Sequence, residues 1–238
     1  MTSALPPFGG NFQDVVSRIE HTVLQPQRGG RDVVTAATQA RDWRVRALVV
    51  KPCYVSAAAD LLRNSGVLVV TVVGFPHGGQ TSEAKAFEAR DAVRHGAAEV
   101  DMAINVGGLT DGNADDVLQD IRAVAASVDG RPLKAIIETA YLTDPLKALA
   151  SELAARGGVA YVKTSTGFAP EGATVADVAL IRSTVGHAIG IKASGGIRTY
   201  AAARALLEAG ADLIGVSQTA TSSPRRPQER PRVDSGAG

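Results

Sequence analysis

The sequence predicts an α/β chain wound as a single (β/α)8 TIM barrel, and three observations carry that prediction. Eight short β-branched runs alternate with longer Ala-rich segments of helical period. Candidate strand ends at positions 51, 74, 101, 138, 163, 192 and 216 are spaced by 23 to 37 residues, a β/α period without repetition of sequence. No G-x-G-x-x-G follows the first run, so the signature of an open dinucleotide-binding sheet is missing. Alternation of this kind means a parallel sheet buried on both faces, and eight units in about 200 residues favour its closure.

The runs lie at 18–24, 46–51, 67–74, 98–104, 133–138, 159–163, 190–193 and 211–216. Between the third and fourth, residues 81–95 predict a helix that Thr81 or Ser82 caps and Gly96 stops. Between the fourth and fifth, residues 111–128 place Val117, Leu118, Ile121, Val124, Ala125 and Val128 on one face. Asp115 and Asp116 occupy the first turn of that helix, where the helix dipole favours them. Residues 199–209 predict a helix that starts at a capping threonine and ends at Gly210. The last fifteen residues, PRRPQERPRVDSGAG, hold three prolines, four arginines and one valine. Such a segment cannot bury enough apolar surface to offset its ordering entropy. The expectation is a barrel over 1–221 with a shortened or missing last helix, followed by a disordered polar tail over 222–238.

Composition narrows the function classes. Hydrophobic residues make up 45% of the chain, enough for a large core. Twenty-five basic residues balance 24 acidic ones, so no field draws the chain to nucleic acid or to an anionic membrane. No apolar run is long enough to span a bilayer, and the start MTSALPPFGG lacks the pattern of a signal peptide. A soluble cytoplasmic protein is therefore expected. Cys53 is the single cysteine and reads as a spectator thiol near the barrel mouth. His21, His77, His95 and His187 show no metal-ligand spacing, and no metal is expected.

Barrel chemistry sits at the C-terminal ends of the strands. Three ionisable residues fall there within apolar runs: Asp101 in AEVDMAINVGG, Lys163 in VAYVKTSTGF and Lys192 in IGIKASGGIR. A free lysine, with a pKa near 10.4, is a neutral amine in only about one molecule in a few thousand at pH 7. A second ammonium about 4 Å away costs the charged form roughly 4 kcal/mol at an effective dielectric of about 20. The lysine pair can therefore yield a nucleophilic amine, and the expected chemistry is a Schiff base on Lys163. Asp101 fits two roles equally well, a group that moves protons or a counter-ion that merely neutralises a lysine. The small-residue segments 164–167, 194–196 and 215–217 offer hydroxyls and backbone N–H groups to an anion such as phosphate.

These segments resemble the deoxyribose-phosphate aldolase family from about residue 18 to 217. The carriers are VVGFPHGGQTSEAKAFEARDAVRHGAAEVDMAINVGG, LKAIIET, YVKTSTGFAPEGAT, IKASGGIR and AGADLIGVS. The resemblance implies reversible cleavage of 2-deoxy-D-ribose 5-phosphate to D-glyceraldehyde 3-phosphate and acetaldehyde, by a homodimer with no cofactor. It makes Lys163 the Schiff-base lysine, Lys192 the lysine that lowers its pKa and Asp101 the proton relay. Thr166, Gly167, Gly195, Gly196, Gly215 and Ser217 fall where the family holds its substrate and phosphate. The first-strand motif of the family, I-D-H-T-L-L, reads IEHTVL here, so Glu20 puts one extra methylene into the proton network. The second serine expected after the eighth strand is Gln218. Two other enzyme classes fit a phosphate-binding barrel less well. An isomerase would need a carboxylate base without the lysine, and a metal-dependent aldolase would need ligands that the sequence does not supply. A barrel that only binds a sugar phosphate is opposed by the intact lysine pair.

Overall fold

All eight predicted strands form, and they close. In the computed structural model, residues 6–217 are described. A short helix α1 (Phe12–Val16) leads into β1 (Ile19–Val23), α2 (Gly30–Trp43), β2 (Ala47–Val50), α3 (Val55–Leu62) and β3 (Leu68–Val73). Helix α4 (Ser82–Arg94), β4 (Glu99–Ala103), α5 (Val106–Thr110), α6 (Ala114–Ala125) and β5 (Leu133–Ile136) follow. The chain then runs through α7 (Asp144–Arg156), β6 (Tyr161–Lys163), α8 (Val175–Val185), β7 (Gly190–Ser194), α9 (Tyr200–Glu208) and β8 (Leu213–Val216). Every neighbouring pair is parallel, and β1 pairs with β8 to complete the barrel. The predicted short last helix, the tail over 222–238, the domain limit at 221 and Gln218 lie outside the described residues. No helix among the described residues is long and apolar enough to cross a membrane.

Local signals placed the helix ends well. The Thr81 hydroxyl accepts from the Ala84 N–H at 3.2 Å, and the Thr199 hydroxyl accepts from the Ala202 N–H at 3.1 Å. The helix expected over 111–128 is shorter and is preceded by α5, which Gly107 and Gly108 hide from a periodicity argument. Asn105 caps α5 by accepting from the Gly108 N–H. Val117, Leu118, Ile121, Val124 and Val128 are all buried against the sheet, as the pattern requires, and Ala125 packs at the margin.

The two faces of the strands differ in chemistry. Outward residues such as Leu48, Val50, Val69 and Val73 join the large apolar core beneath the helices. Inward residues follow a period of two and divide the barrel interior into two halves. On one side Leu24, Ala47, Val49, Val70 and Val72 form a small apolar cluster with Leu68 and Phe75. Strands β1, β4, β5, β6 and β7 instead turn Glu20, Glu99, Asp101, Lys134, Lys163 and Lys192 inward, where each is almost entirely buried. Burying an ion costs several kcal/mol unless it is closely paired, so this half of the interior must be read as one electrostatic unit.

Candidate active site

Lys163 is the last residue of β6, and the register sets it beside Ile136 and Lys192. Its Nζ donates to Asp101 Oδ2 at 2.9 Å, and Lys192 Nζ donates to the same oxygen at 2.6 Å. Two lysines thus share one carboxylate oxygen, although residues 62 and 91 positions away from Asp101 supply them. Glu20 closes the arrangement from β1 by accepting a hydrogen bond from Lys192. All four predicted groups, Glu20, Asp101, Lys163 and Lys192, therefore meet in one buried cluster.

The cluster is larger than the sequence reading foresaw. Lys134 Nζ donates to Asp101 Oδ1 at 2.8 Å, lies 2.7 Å from Glu99 Oε2 and 3.5 Å from Glu20 Oε1. Arg46, just before β2, reaches Glu20 Oε1 at 2.6 Å and also binds the Glu99 carboxylate through both terminal nitrogens. Barrel chemistry is expected at strand ends, whereas Arg46, Glu99 and Lys134 lie toward strand starts. A usable signal existed. Glu99 and Asp101 are two apart in EVDMA, and Lys134 interrupts an apolar run, so all three share the inward face.

Charge accounting gives the cluster a direction. Among the described residues, Arg46, Lys134, Lys163 and Lys192 face only Glu20, Glu99 and Asp101, so one cation lacks an anion of its own. Lys163 is that cation, lying at the mouth end with Asp101 as its one carboxylate contact. Burial pushes its pKa down to about 8, and the charge of Lys192 pushes the same way against the opposing pull of Asp101. Burial, and not the neighbouring ammonium, is the larger cause, which reverses the weighting expected from sequence. The reason is geometric: Lys192 sits between Asp101 and Glu20, and those anions cancel much of its field at Lys163.

Asp101, Glu99 and Lys134 are pinned in their charged forms. Burial alone would raise the Asp101 pKa, but Lys134, Lys163 and Lys192 together hold it well below the usual carboxylate range. Glu99 is likewise brought down to about 2, because Lys134 and Arg46 outweigh its burial. Lys134 is raised above the ordinary lysine value, its burial overcome by Asp101, Glu20 and Glu99. The arrangement can therefore supply one amine nucleophile and one buried carboxylate base in direct contact.

The glycine-rich loops lie above this cluster. Gly167, Gly195 and Gly196 adopt positive φ of 86°, 84° and 73°, conformations that side chains other than glycine rarely take. The loops after β6 and β7 touch so closely that a Cβ on Gly172 would fall 2.1 Å from the Gly195 carbonyl oxygen. The Ala173 N–H ties them further by donating to the Ser194 carbonyl at 3.0 Å. Two predicted anion-binding residues have other engagements. The Thr166 N–H lies 3.2 Å from both Glu138 carboxylate oxygens, and its hydroxyl also donates to Glu138. Gly215 lies within β8, not in the loop after it, and a Cβ there would meet Ser194 Cβ at 2.9 Å and Lys192 Cε at 3.3 Å. Its missing side chain makes room for Lys192. Ser217 is exposed immediately after β8, and Cys53 is exposed in the turn after β2.

Comparisons with known proteins converge. A family model described as DeoC/LacD family aldolase matches residues 17–217. The chain is 48% identical over 199 residues to a deoxyribose-phosphate aldolase of Streptococcus suis, covering 84% of this chain and 90% of that one. It is 48% identical over 205 residues to a deoxyribose-phosphate aldolase of Geobacillus sp., covering 86% and 92%. Among solved structures, a tetrameric deoxyribose phosphate aldolase from Aeropyrum pernix superposes with a TM-score of 0.84 at 30% identity, over 90% of this chain and 91% of that one.

Proposed function

Because the chain belongs to the DeoC/LacD family of aldolases, we propose that it reversibly cleaves 2-deoxy-D-ribose 5-phosphate through a Schiff base on Lys163. The observation that carries this reading is the single Asp101 oxygen shared by Lys163 and Lys192 inside a buried barrel mouth. The Lys163 amine adds to the C1 aldehyde of the open-chain sugar, and the carbinolamine loses water to give a protonated imine. The imine withdraws electrons as the C2–C3 bond breaks and the C3 hydroxyl gives up its proton. D-Glyceraldehyde 3-phosphate leaves, and the enamine that remains is protonated at C2. Hydrolysis then frees acetaldehyde and restores Lys163. Asp101 is the base within reach of these transfers, and Lys134, Lys192 and Glu20 return its proton through the hydrogen-bonded cluster.

The pKa of Lys163 sets the pH dependence. With a value of about 8, roughly one molecule in ten carries a free amine at pH 7. The amine fraction falls about tenfold per pH unit below that value and levels off above it. Lys192→Met removes a charge that favours the amine, so the midpoint for Schiff-base formation is expected to move upward. Borohydride trapping with acetaldehyde as a function of pH measures it. An unmoved midpoint would assign the whole effect to burial.

Substrate selection rests on the loops after β6, β7 and β8. The backbone N–H groups of Gly167, Gly195 and Gly196 and the Ser217 hydroxyl are the proposed donors to a phosphate on the sugar, and charge-assisted hydrogen bonds contribute roughly 1.5–3 kcal/mol each. The phosphorylated sugar is expected to be preferred over 2-deoxyribose by at least about 100-fold in kcat/KM. Ser217→Asp is expected to erase much of that preference by setting a carboxylate against the phosphate. Direct cleavage assays on both sugars test the reading, and equal efficiency on both would remove the phosphate from it. The resemblance to the family further supports a homodimer in the cytoplasm, which light scattering of the purified chain and cell fractionation would test.

A further inference from the structure

Two aromatic rings on separate loops meet, and one of them stands beside Lys163. The Phe75 ring, in the loop after β3, lies with its centroid 6.0 Å from Lys163 Nζ. Phe168, in the loop after β6, meets Phe75 edge to face at 5.3 Å and 87° while remaining 44% exposed. Both loops are held from below. The Gly74 N–H donates to Glu88 Oε2 of α4 at 2.8 Å, and the Gly78 N–H donates to the Gly74 carbonyl at 2.7 Å. A Cβ on Gly78 would fall 1.9 Å from the Ile104 carbonyl oxygen, so this loop lies directly on the end of β4. On the other side the Phe168 N–H donates to Thr166 Oγ1 at 3.1 Å, and Thr166 is itself clamped by Glu138.

We propose that Phe75 and Phe168 form an aromatic lid that excludes water from Lys163, so that they act as positioning residues for the Schiff-base step; this rests on Lys163 being the reacting amine. Two effects of the Phe75 ring compete. Its face attracts an ammonium, whereas its bulk denies that ammonium hydration. At 6.0 Å the ring stands at the outer limit of useful cation–π attraction, and Asp101 already holds the ammonium at 2.9 Å. Exclusion of water therefore dominates, in agreement with burial as the first cause of the lowered pKa. The lid also assigns a purpose to the Glu138–Thr166 clamp, which fixes the Phe168 half.

The charged groups that face Lys163 are Asp101 from β4, Lys192 from β7 and Glu20 from β1, with Lys134 from β5 behind Asp101, and none is altered in the variants below. The test is the pH profile of acetaldehyde trapping at Lys163 by borohydride in the full chain, read by peptide mass spectrometry. Phe75→Ala is expected to move the midpoint from about 8 toward the ordinary lysine value of about 10.4, with at least about a tenfold loss of trapping at neutral pH and recovery at alkaline pH. Phe168→Ala should move it in the same direction by less, and Phe75→Leu, which keeps an apolar cover, should leave it nearly in place. A loss equal at every pH, or midpoints unchanged in both alanine variants, would overturn the lid. If Phe75→Ala does not fold, Phe168→Ala decides the matter from an exposed position. Trapping absent from Lys163 in the unaltered chain would instead overturn the aldolase assignment of that residue.

Discussion

Lys163→Met is expected to abolish turnover while leaving the barrel intact. Methionine is close in length and apolar, and its introduction leaves Arg46, Lys134 and Lys192 facing Glu20, Glu99 and Asp101, three charges against three. Replacing a buried ion with an apolar side chain of similar volume is often neutral or stabilising, so the melting temperature should hold or rise. Turnover should fall by about 10⁴-fold or more, the scale of losing a covalent nucleophile. Lys163→Arg should also abolish trapping, because a guanidinium stays protonated at any accessible pH. Residual trapping on another lysine at the original rate would overturn the assignment.

Asp101→Asn should separate two steps that are otherwise seen together. The carboxylate is the strongest influence that keeps Lys163 protonated, so its removal should lower the midpoint for Schiff-base formation below about 8. The fraction of Lys163 present as free amine at pH 7 should then be undiminished or larger. Turnover should nevertheless fall by about 10²- to 10⁴-fold, because the later steps lose their base. A structural cost accompanies this, since Lys134 and Lys192 lose a contact each; buried pairs that lose one partner are destabilised by roughly 3–5 kcal/mol. Kinetic assays, trapping and denaturant melts on one preparation measure all three. If the midpoint falls and turnover does not, Asp101 is only a counter-ion, the alternative that spacing left open.

The barrel was legible because its signals are local. Strand period, helix period and caps at Thr81 and Thr199 lie within a few residues of the positions they govern, and each reappears in the structure. The site was legible in part for the same reason. Asp101, Lys163 and Lys192 stand out as charges in apolar strands near the barrel mouth. Lys134 and Glu99 obey the same inward parity, whereas Arg46 precedes β2 on the parity of the outward Leu48, and nothing in a single strand shows that its charge meets another. Helix α5 escaped notice because two of its five residues are glycines.

The sequence by itself determined the fold class, the positions of the eight strands and the residue types available for amine chemistry. Only the tertiary structure decided which charges meet, that one oxygen of Asp101 serves two lysines, and that Thr166 is committed to Glu138. It also decided that burial outweighs Lys192 in activating Lys163. The physical reason is range. Propensity and periodicity act between neighbours in the chain, whereas Coulomb and desolvation energies depend on distances across the closed barrel, between residues as far apart as Glu20 and Lys192.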